Sequence, residues 1–169
     1  RRDLRDEIVR LQKRLGITVV FVTHSQQEAL AISDRVAVLK GGQVIQYDTV
    51  ETLYRHPRDR FVASFVGEAN FLETEAGTRM LRPEQMDIVE RPGDDAPREP
   101  LQSAADPARG ASPEASTVPA VIETHQFLGA HHRYECRSEL GPLIVTSPHR
   151  YRVGTEVTVA YYPTEGCIV

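Results

Sequence analysis

Hydrophobic residues in the first part of the chain follow a helical period and then a strand-like run. Apolar side chains repeat at i, i+4, i+7 and i+11, at Leu4, Ile8, Leu11 and Leu15. This stripe predicts an amphipathic helix over residues 3–15 that ends at Gly16. The next segment, Ile17–Val22, is rich in β-branched and aromatic residues, which predicts a strand that is covered on both faces.

One histidine, His24, follows the predicted strand and precedes a second predicted helix that runs to about Ser33. Ser25 and Glu28 have the spacing of a capping box, in which two side chains satisfy backbone donors at the start of a helix. Ligands of open parallel sheets bind just beyond the carboxyl ends of the strands, so His24 is the candidate functional residue of the chain. A histidine at a strand end can also be a purely structural polar residue, and periodicity alone leaves both interpretations open.

The segment after this helix predicts a hairpin followed by two short helices. Strands are predicted at Arg35–Leu39 and Gln43–Tyr47, with Lys40–Gly42 as the turn. Asp48 or Thr49 is expected to cap a helix that runs to about Arg55, and a second short helix spans residues 59–66. The order of the predicted strand at 17–22, the helix to about Ser33 and the strand at Arg35–Leu39 is typical of the end of an α/β nucleotide-binding domain.

From Gly67 onward the pattern changes to short strands separated by turns. The clearest predicted strands are Val118–Gly129, Arg133–Glu139, Leu143–Ser147 and Thr155–Tyr161. Several strands at this spacing favour a small all-β barrel resembling an OB-fold. Residues 91–117 interrupt the pattern with five prolines and few large apolar residues, which predicts a flexible insertion.

Motifs around His24 and beyond Gly67 resemble the ATP-binding subunits of ABC importers that carry an additional C-terminal domain. The matching residues are Thr23-His24, Gln26, Glu28-Ala29-Leu30, Asp34-Arg35-Val36, Gly42-Gln43, Thr49, Leu53-Tyr54, Pro57, Phe61-Val62, Phe65, Gly67–Leu72 and Leu81–Glu84. Ser25 departs from the family, which usually has Asp there, but both residues are good helix caps. The resemblance covers nearly the whole chain except Arg91–Thr117.

The resemblance implies that His24 contacts the γ-phosphate of ATP and helps to organise the attacking water. It implies ATP and Mg²⁺ as cofactors of the full-length subunit, and a second subunit copy and membrane permease subunits as partners at the inner face of the cell membrane. It divides the chain into the C-terminal part of a nucleotide-binding domain (1–67) and a transport-associated OB-like regulatory domain (68–169). Polyamine or iron uptake is the favoured subgroup, although these residues do not specify the transported substrate.

The sequence contains no G-x-x-x-x-G-K-[ST] phosphate loop and no apolar strand that ends in paired acidic residues. We therefore expect the C-terminal portion of a longer subunit, which does not hydrolyse ATP by itself. An alternative hypothesis is a non-catalytic regulatory and dimerisation module of the same subunit. In that case apolar surface at Phe61, Phe65 and the barrel edges would favour self-association.

Composition argues against two further classes of function. Residues 68–169 carry 9 Lys/Arg and 16 Asp/Glu, an acidic balance that disfavours nucleic acid despite the tyrosines Tyr134, Tyr151, Tyr161 and Tyr162. A metal site is disfavoured because no zinc-ligand spacing occurs among the nearest candidates, His125, His131, His132, Glu135 and Cys136. Cys136 and Cys167 fit a reduced compartment, although two cysteines could also form a bridge.

Overall fold

The computed structural model describes residues 2–89, 115–163 and 165–169, with side chains from residue 7 onward. It divides into two compact units, Arg1–Glu68 with Val169, and Ala69–Ile168. Most of the insertion predicted at 91–117 lies outside the described residues. Ser116 and Thr117 belong to a strand instead, because they pair with Tyr161 and Ala160.

The first unit consists of helices around one small hairpin. Its elements are α1 (Arg2–Leu15), α2 (Gln26–Ile32), β1 (Arg35–Lys40), β2 (Gln43–Thr49), α3 (Val50–Arg55) and α4 (Arg60–Val66). β1 and β2 pair in antiparallel fashion, and the turn between them uses the left-handed conformations of Gly41 and Gly42. The hairpin and both short helices were predicted, and their bounds agree to within a few residues.

Side-chain caps explain where α3 and α4 begin. The Thr49 hydroxyl accepts a hydrogen bond from the backbone N–H of Thr52 at 3.2 Å, and an Asp59 carboxylate oxygen accepts one from Val62 at 2.8 Å. The small core between these helices and the hairpin is formed by Val38, Leu53, Val62 and Val66.

The strand predicted at Ile17–Val22 is wrong for this structure. The segment forms no sheet pairing, and the only sheet described within the first unit is the antiparallel pair β1–β2. A strand needs a neighbour that takes up its N–H and C=O groups, and no described segment provides one. The apolar side chains are consequently exposed, with Val20 and Val22 each 87% accessible. A parallel α/β sheet is therefore not evident in the described part of this unit.

The second unit is built almost entirely from antiparallel strands. They are β3 (Asn70–Thr74), β4 (Gly77–Leu81), β5 (Met86–Val89), β6 (Ser116–Phe127), β7 (His132–Ser138), β8 (Gly141–Ser147), β9 (Glu156–Tyr161) and β10 (Cys167–Ile168), with one 3₁₀ turn at Pro83–Gln85. Five strands form a sheet in the order β5-β9-β6-β7-β8, and three form a second sheet in the order β10-β4-β3. The larger sheet curls into a half-barrel, as expected for an OB-like domain.

The long strand β6 connects the two parts of the half-barrel. Its first half pairs with β9 and its second half with β7, and the β6–β7 register shifts between Ile122 and Thr124. Such a bulge increases the local twist, which helps the sheet to curl. The core of this unit contains Met86, Ile122, Tyr134, Val145 and Val159, each fully buried.

Asn70 fastens the small sheet to the half-barrel within this unit. Its side-chain amide donates to the Ile144 carbonyl at 2.7 Å and accepts from the Ile144 N–H at 2.6 Å, as a neighbouring strand would. Asn70 is only 3% exposed, so this pairing satisfies polar groups that would otherwise be buried without partners.

Candidate functional site

His24 lies on an exposed bend between the apolar segment 17–22 and helix α2. The bend occurs where the sequence predicts the end of a strand and the start of a helix. An exposed imidazole at this position can donate or accept a hydrogen bond toward a ligand that approaches from solvent. The structure therefore places the predicted site residue where it is accessible.

Hydrogen bonds hold the residues on both sides of His24. The Thr23 hydroxyl donates to a Glu28 carboxylate oxygen at 2.9 Å, and the Thr23 oxygen accepts from the Ser25 N–H at 3.0 Å. The Ser25 hydroxyl accepts from the Glu28 N–H at 3.3 Å, and the Ser25 carbonyl accepts from the Ala29 N–H at 3.0 Å. Ser25 is thus the N-cap of α2, as predicted.

The bond between Thr23 and Glu28 was not predicted. The capping-box pattern assigns the Ser25 N–H to the Glu28 side chain, but in the structure Thr23 accepts from that N–H and donates to Glu28. The only sequence signal for this arrangement is a hydroxyl residue five positions before the glutamate. From that spacing, Thr23 could have been recognised as a hydrogen-bond partner of the Glu28 carboxylate.

A second cluster of polar and aromatic rings lies at the end of the β6–β7 hairpin. His125 Nε2 and His132 Nδ1 are 2.8 Å apart and share a hydrogen bond. Their ring centroids are 5.0 Å apart. Tyr134 contacts both rings, at 5.2 Å from His125 and 6.2 Å from His132, and Phe127 contacts His132 at 5.1 Å. His125 lies opposite Tyr134, and Phe127 lies opposite His132, so the strand register brings these side chains together.

Burial and neighbouring charge affect the titration of this cluster. Partial desolvation lowers the pKa of His132, and the neighbouring His125, Arg150 and His131 lower it further. Burial raises the pKa of the Tyr134 phenol, whose hydroxyl donates to the His149 carbonyl and accepts from the Tyr151 N–H. Neutral forms of both groups are therefore favoured.

This ring cluster does not form a metal site in the described residues. His131 lies in the turn before β7, Glu135 is paired with Arg133 at 3.0 Å, and Cys136 is buried in the core. No set of three or more His, Cys, Asp or Glu residues in the described ranges could hold a metal ion. Tyr134 is a core residue, and the partly buried Tyr151 and Tyr161 pack against the same core, so these three rings contribute to packing.

The two cysteines, Cys136 and Cys167, are free thiols. Burial raises the pKa of Cys136 to about 11, which keeps its thiol protonated at neutral pH. Burial also raises the pKa of Cys167, although Arg82 and Arg79 counteract this.

None of the helices in the described segments is long and apolar enough to cross a membrane.

Comparisons with known proteins cover both units of the chain. Residues 80–168 match the model of the TOBE domain family. The chain is 37% identical over 157 residues to a spermidine/putrescine import ATP-binding protein of Pseudomonas aeruginosa, which covers 85% of this chain and 42% of the relative. It is 37% identical over 153 residues to an Fe(3+) ions import ATP-binding protein of Rhizobium etli, which covers 86% of this chain and 43% of the relative.

A shorter region is more similar to a third relative. A spermidine/putrescine import ATP-binding protein of Chromobacterium violaceum is 52% identical over 73 residues, 43% of this chain and 20% of the relative. The chain thus spans less than half the length of the first two relatives. These similarities confirm the resemblance to importer ATP-binding subunits that the sequence motifs indicated.

Proposed function

This chain belongs to the TOBE domain family, and from that premise we propose that it is the C-terminal part of the ATP-binding subunit of an ABC importer. The observation that carries the proposal is the 37% identity to an import ATP-binding protein over 85% of the chain. This similarity extends well outside residues 80–168, so it includes a large part of the helical first unit as well as the β unit.

In this proposal residues 1–67 complete a nucleotide-binding domain, and residues 68–169 form its OB-like regulatory domain, with 91–117 as a flexible insertion. The exposed apolar segment 17–22 supports the first assignment. Val20 and Val22 would be covered if the segment became a strand of a larger parallel sheet contributed by the rest of the subunit.

ATP with Mg²⁺ supplies the phosphoanhydride whose hydrolysis would drive transport. Of the residues in this chain, His24 is the one that we assign to the γ-phosphate. Its imidazole is exposed and its bend is fixed by the hydrogen bonds of Thr23 and Ser25, which suits a group that binds a phosphate oxygen and orients water. The chain has no phosphate-loop sequence, and we expect no hydrolysis from these 169 residues alone.

The cargo would be a polyamine or ferric iron. The relatives named above are a spermidine/putrescine and an Fe(3+) ions import protein, so their names support both classes. The partners would be a second copy of the ATP-binding subunit and permease subunits, with the complex at the cytoplasmic face of the membrane.

The test is ATP hydrolysis by the complete subunit that contains this sequence, with and without the change His24→Ala. We expect a fall in kcat of at least about 100-fold, because positioning and electrostatic groups at a transferring phosphoryl group contribute effects of this order. His56→Ala is the matched control, because His56 is an exposed histidine at the end of α3. A complete subunit with no ATPase activity would overturn the function, and an unchanged kcat in His24→Ala would overturn the role of His24.

A second candidate function is a regulatory and dimerisation module of the same subunit. Exposed apolar side chains favour it: Phe65 is 36% exposed, and Phe127 and Leu128 at the β6–β7 turn are 64% and 45% exposed. Light scattering of the chain should then show a dimer whose proportion rises with concentration. A monomer at all concentrations would contradict this second function and leave the first untouched.

A further inference from the structure

We propose that Thr23 and Glu28 are positioning residues that fix the backbone on both sides of His24 and thereby aim its imidazole. The inference rests on the proposed function of His24. It adds two residues whose side chains act through the histidine rather than by touching the nucleotide.

Three hydrogen bonds form a closed ring around His24. Thr23 donates to Glu28, Glu28 donates its N–H to Ser25, and Ser25 donates its N–H back to Thr23, at 2.9, 3.3 and 3.0 Å. His24 is the residue that lies between the two anchored positions. The bonds therefore hold the backbone on both sides of His24 and restrict its movement.

Packing does not replace these bonds. Helix α2 has no buried residue, and the preceding segment 17–22 is exposed. In this structure the conformation of the bend is therefore set mainly by polar contacts of half-buried side chains. In the complete subunit, where segment 17–22 would be covered, the bond from Thr23 to Glu28 would still connect the residue before His24 to helix α2.

The contact between Thr23 and Glu28 is more than a helix cap. An N-cap needs only the Ser25 side chain, which accepts from the Glu28 N–H. The Thr23 hydroxyl lies before the helix, and its bond to the Glu28 carboxylate connects the residue that follows segment 17–22 to the first turn of α2. Its loss should leave the helix intact and release the bend.

The experiment measures steady-state ATP hydrolysis by the complete subunit. Thr23→Val and Glu28→Ala remove the bond, and we expect each to lower kcat roughly tenfold with KM for ATP within about twofold, since small displacements of a catalytic group have large effects on rate. Thr23→Ser keeps the donor and Glu28→Gln keeps an acceptor, so each should retain most of the wild-type kcat. Glu51→Ala is the control, because Glu51 forms an exposed i, i+4 pair with Arg55 on α3.

A double-mutant cycle shows whether the effect passes through His24. In a His24→Ala background, Thr23→Val should have almost no further effect on kcat, because the group that Thr23 positions is already missing. A purely structural role would instead lower the rate by the same factor in both backgrounds, together with the melting temperature.

The outcomes separate this inference from the proposed function. If the wild-type subunit hydrolyses ATP and Thr23→Val has the wild-type kcat, only the positioning role is wrong. The same holds if the effects of Thr23→Val and His24→Ala multiply. If the wild-type subunit has no ATPase activity, the proposed function fails and the positioning role fails with it.

Discussion

At the scale of single residues, the hydrogen bond between His125 and His132 depends on protonation. One imidazole must accept, so at least one ring must be neutral, and two charged rings 2.8 Å apart would repel each other. Arg150 and His131 add positive charge nearby, Tyr134 packs against both rings, and Ser147 lies opposite His132 on β8. Protonation of the rings at low pH is therefore expected to destabilise this cluster.

The pKa of His132 is lowered in the folded chain from its ordinary value of 6.5, so the unfolded chain binds this proton more readily. The contribution of His132 to stability should thus be complete above pH 6.5 and lost as the pH falls through the lowered folded value. Urea unfolding across this range measures the loss, and His132→Asn should reduce it. His149→Asn, at an exposed histidine, is the control. An identical pH dependence in His132→Asn would show that the cluster does not titrate as described.

At the scale of elements, short-range patterns predicted most of the fold. Alternation and glycine turns located β7, β8 and β9 to within two residues, because each strand has a local period and a nearby turn. The strand at 17–22 failed because its composition specifies a strand while pairing depends on distant residues. The histidine pair was missed for a similar reason, since it depends on the register shift near Ile122.

At the candidate site, too, some features follow from local sequence and others do not. His24 and the Ser25 cap follow from local sequence, whereas the role of His24 came from family resemblance rather than from periodicity. The ring of bonds through Thr23 depends on the exact path of the bend, which no periodic pattern specifies.

The short strand β10 depends on one glycine. Gly166 has a left-handed φ of +74°, and a Cβ at this position would overlap the carbonyl oxygen of Met80 on the neighbouring strand β4. Gly166→Ala should therefore destabilise the second unit by more than about 2 kcal/mol, through both backbone strain and displacement of β10. Gly154→Ala is the matched control, because its φ is +86° but nothing lies within 4 Å of the place that the added methyl group would take.

Chemical denaturation of the two variants measures the difference. The control should lose only about 1 kcal/mol, the cost of the backbone conformation alone. Equal losses in Gly166→Ala and Gly154→Ala would show that the close approach to Met80 does not matter for stability.

At the scale of the whole molecule, substitutions in the exposed segment 17–22 should affect the stability of the chain and of the complete subunit differently. In the chain, Val20 and Val22 are 87% exposed, so changing both to Ser should alter the unfolding free energy by less than about 0.5 kcal/mol and reduce binding of a hydrophobic dye. In the complete subunit the same double change should cost about 2 kcal/mol or more, because two buried valines would be lost.

Val44→Ser, at a position 56% exposed on β2, is the control and should be near neutral in both proteins. Paired denaturation curves of the chain and the complete subunit provide the measurement. If the double change is neutral in the complete subunit, the segment is not covered there, and its proposed place in a larger sheet is wrong.

The pairing pattern of the second unit also determines when it can fold during protein synthesis. Met80 on β4 pairs with Cys167, and Met86 on β5 pairs with Tyr161, so both early strands need partners that the ribosome makes much later. Until those residues leave the exit tunnel, the edges of β4 and β5 remain open to unrelated strands and to chaperones. Folding dominated by such long-range closure is slow, on the order of milliseconds to seconds. The first unit, whose hairpin and helices are neighbours in sequence, can be complete while the second is still being translated.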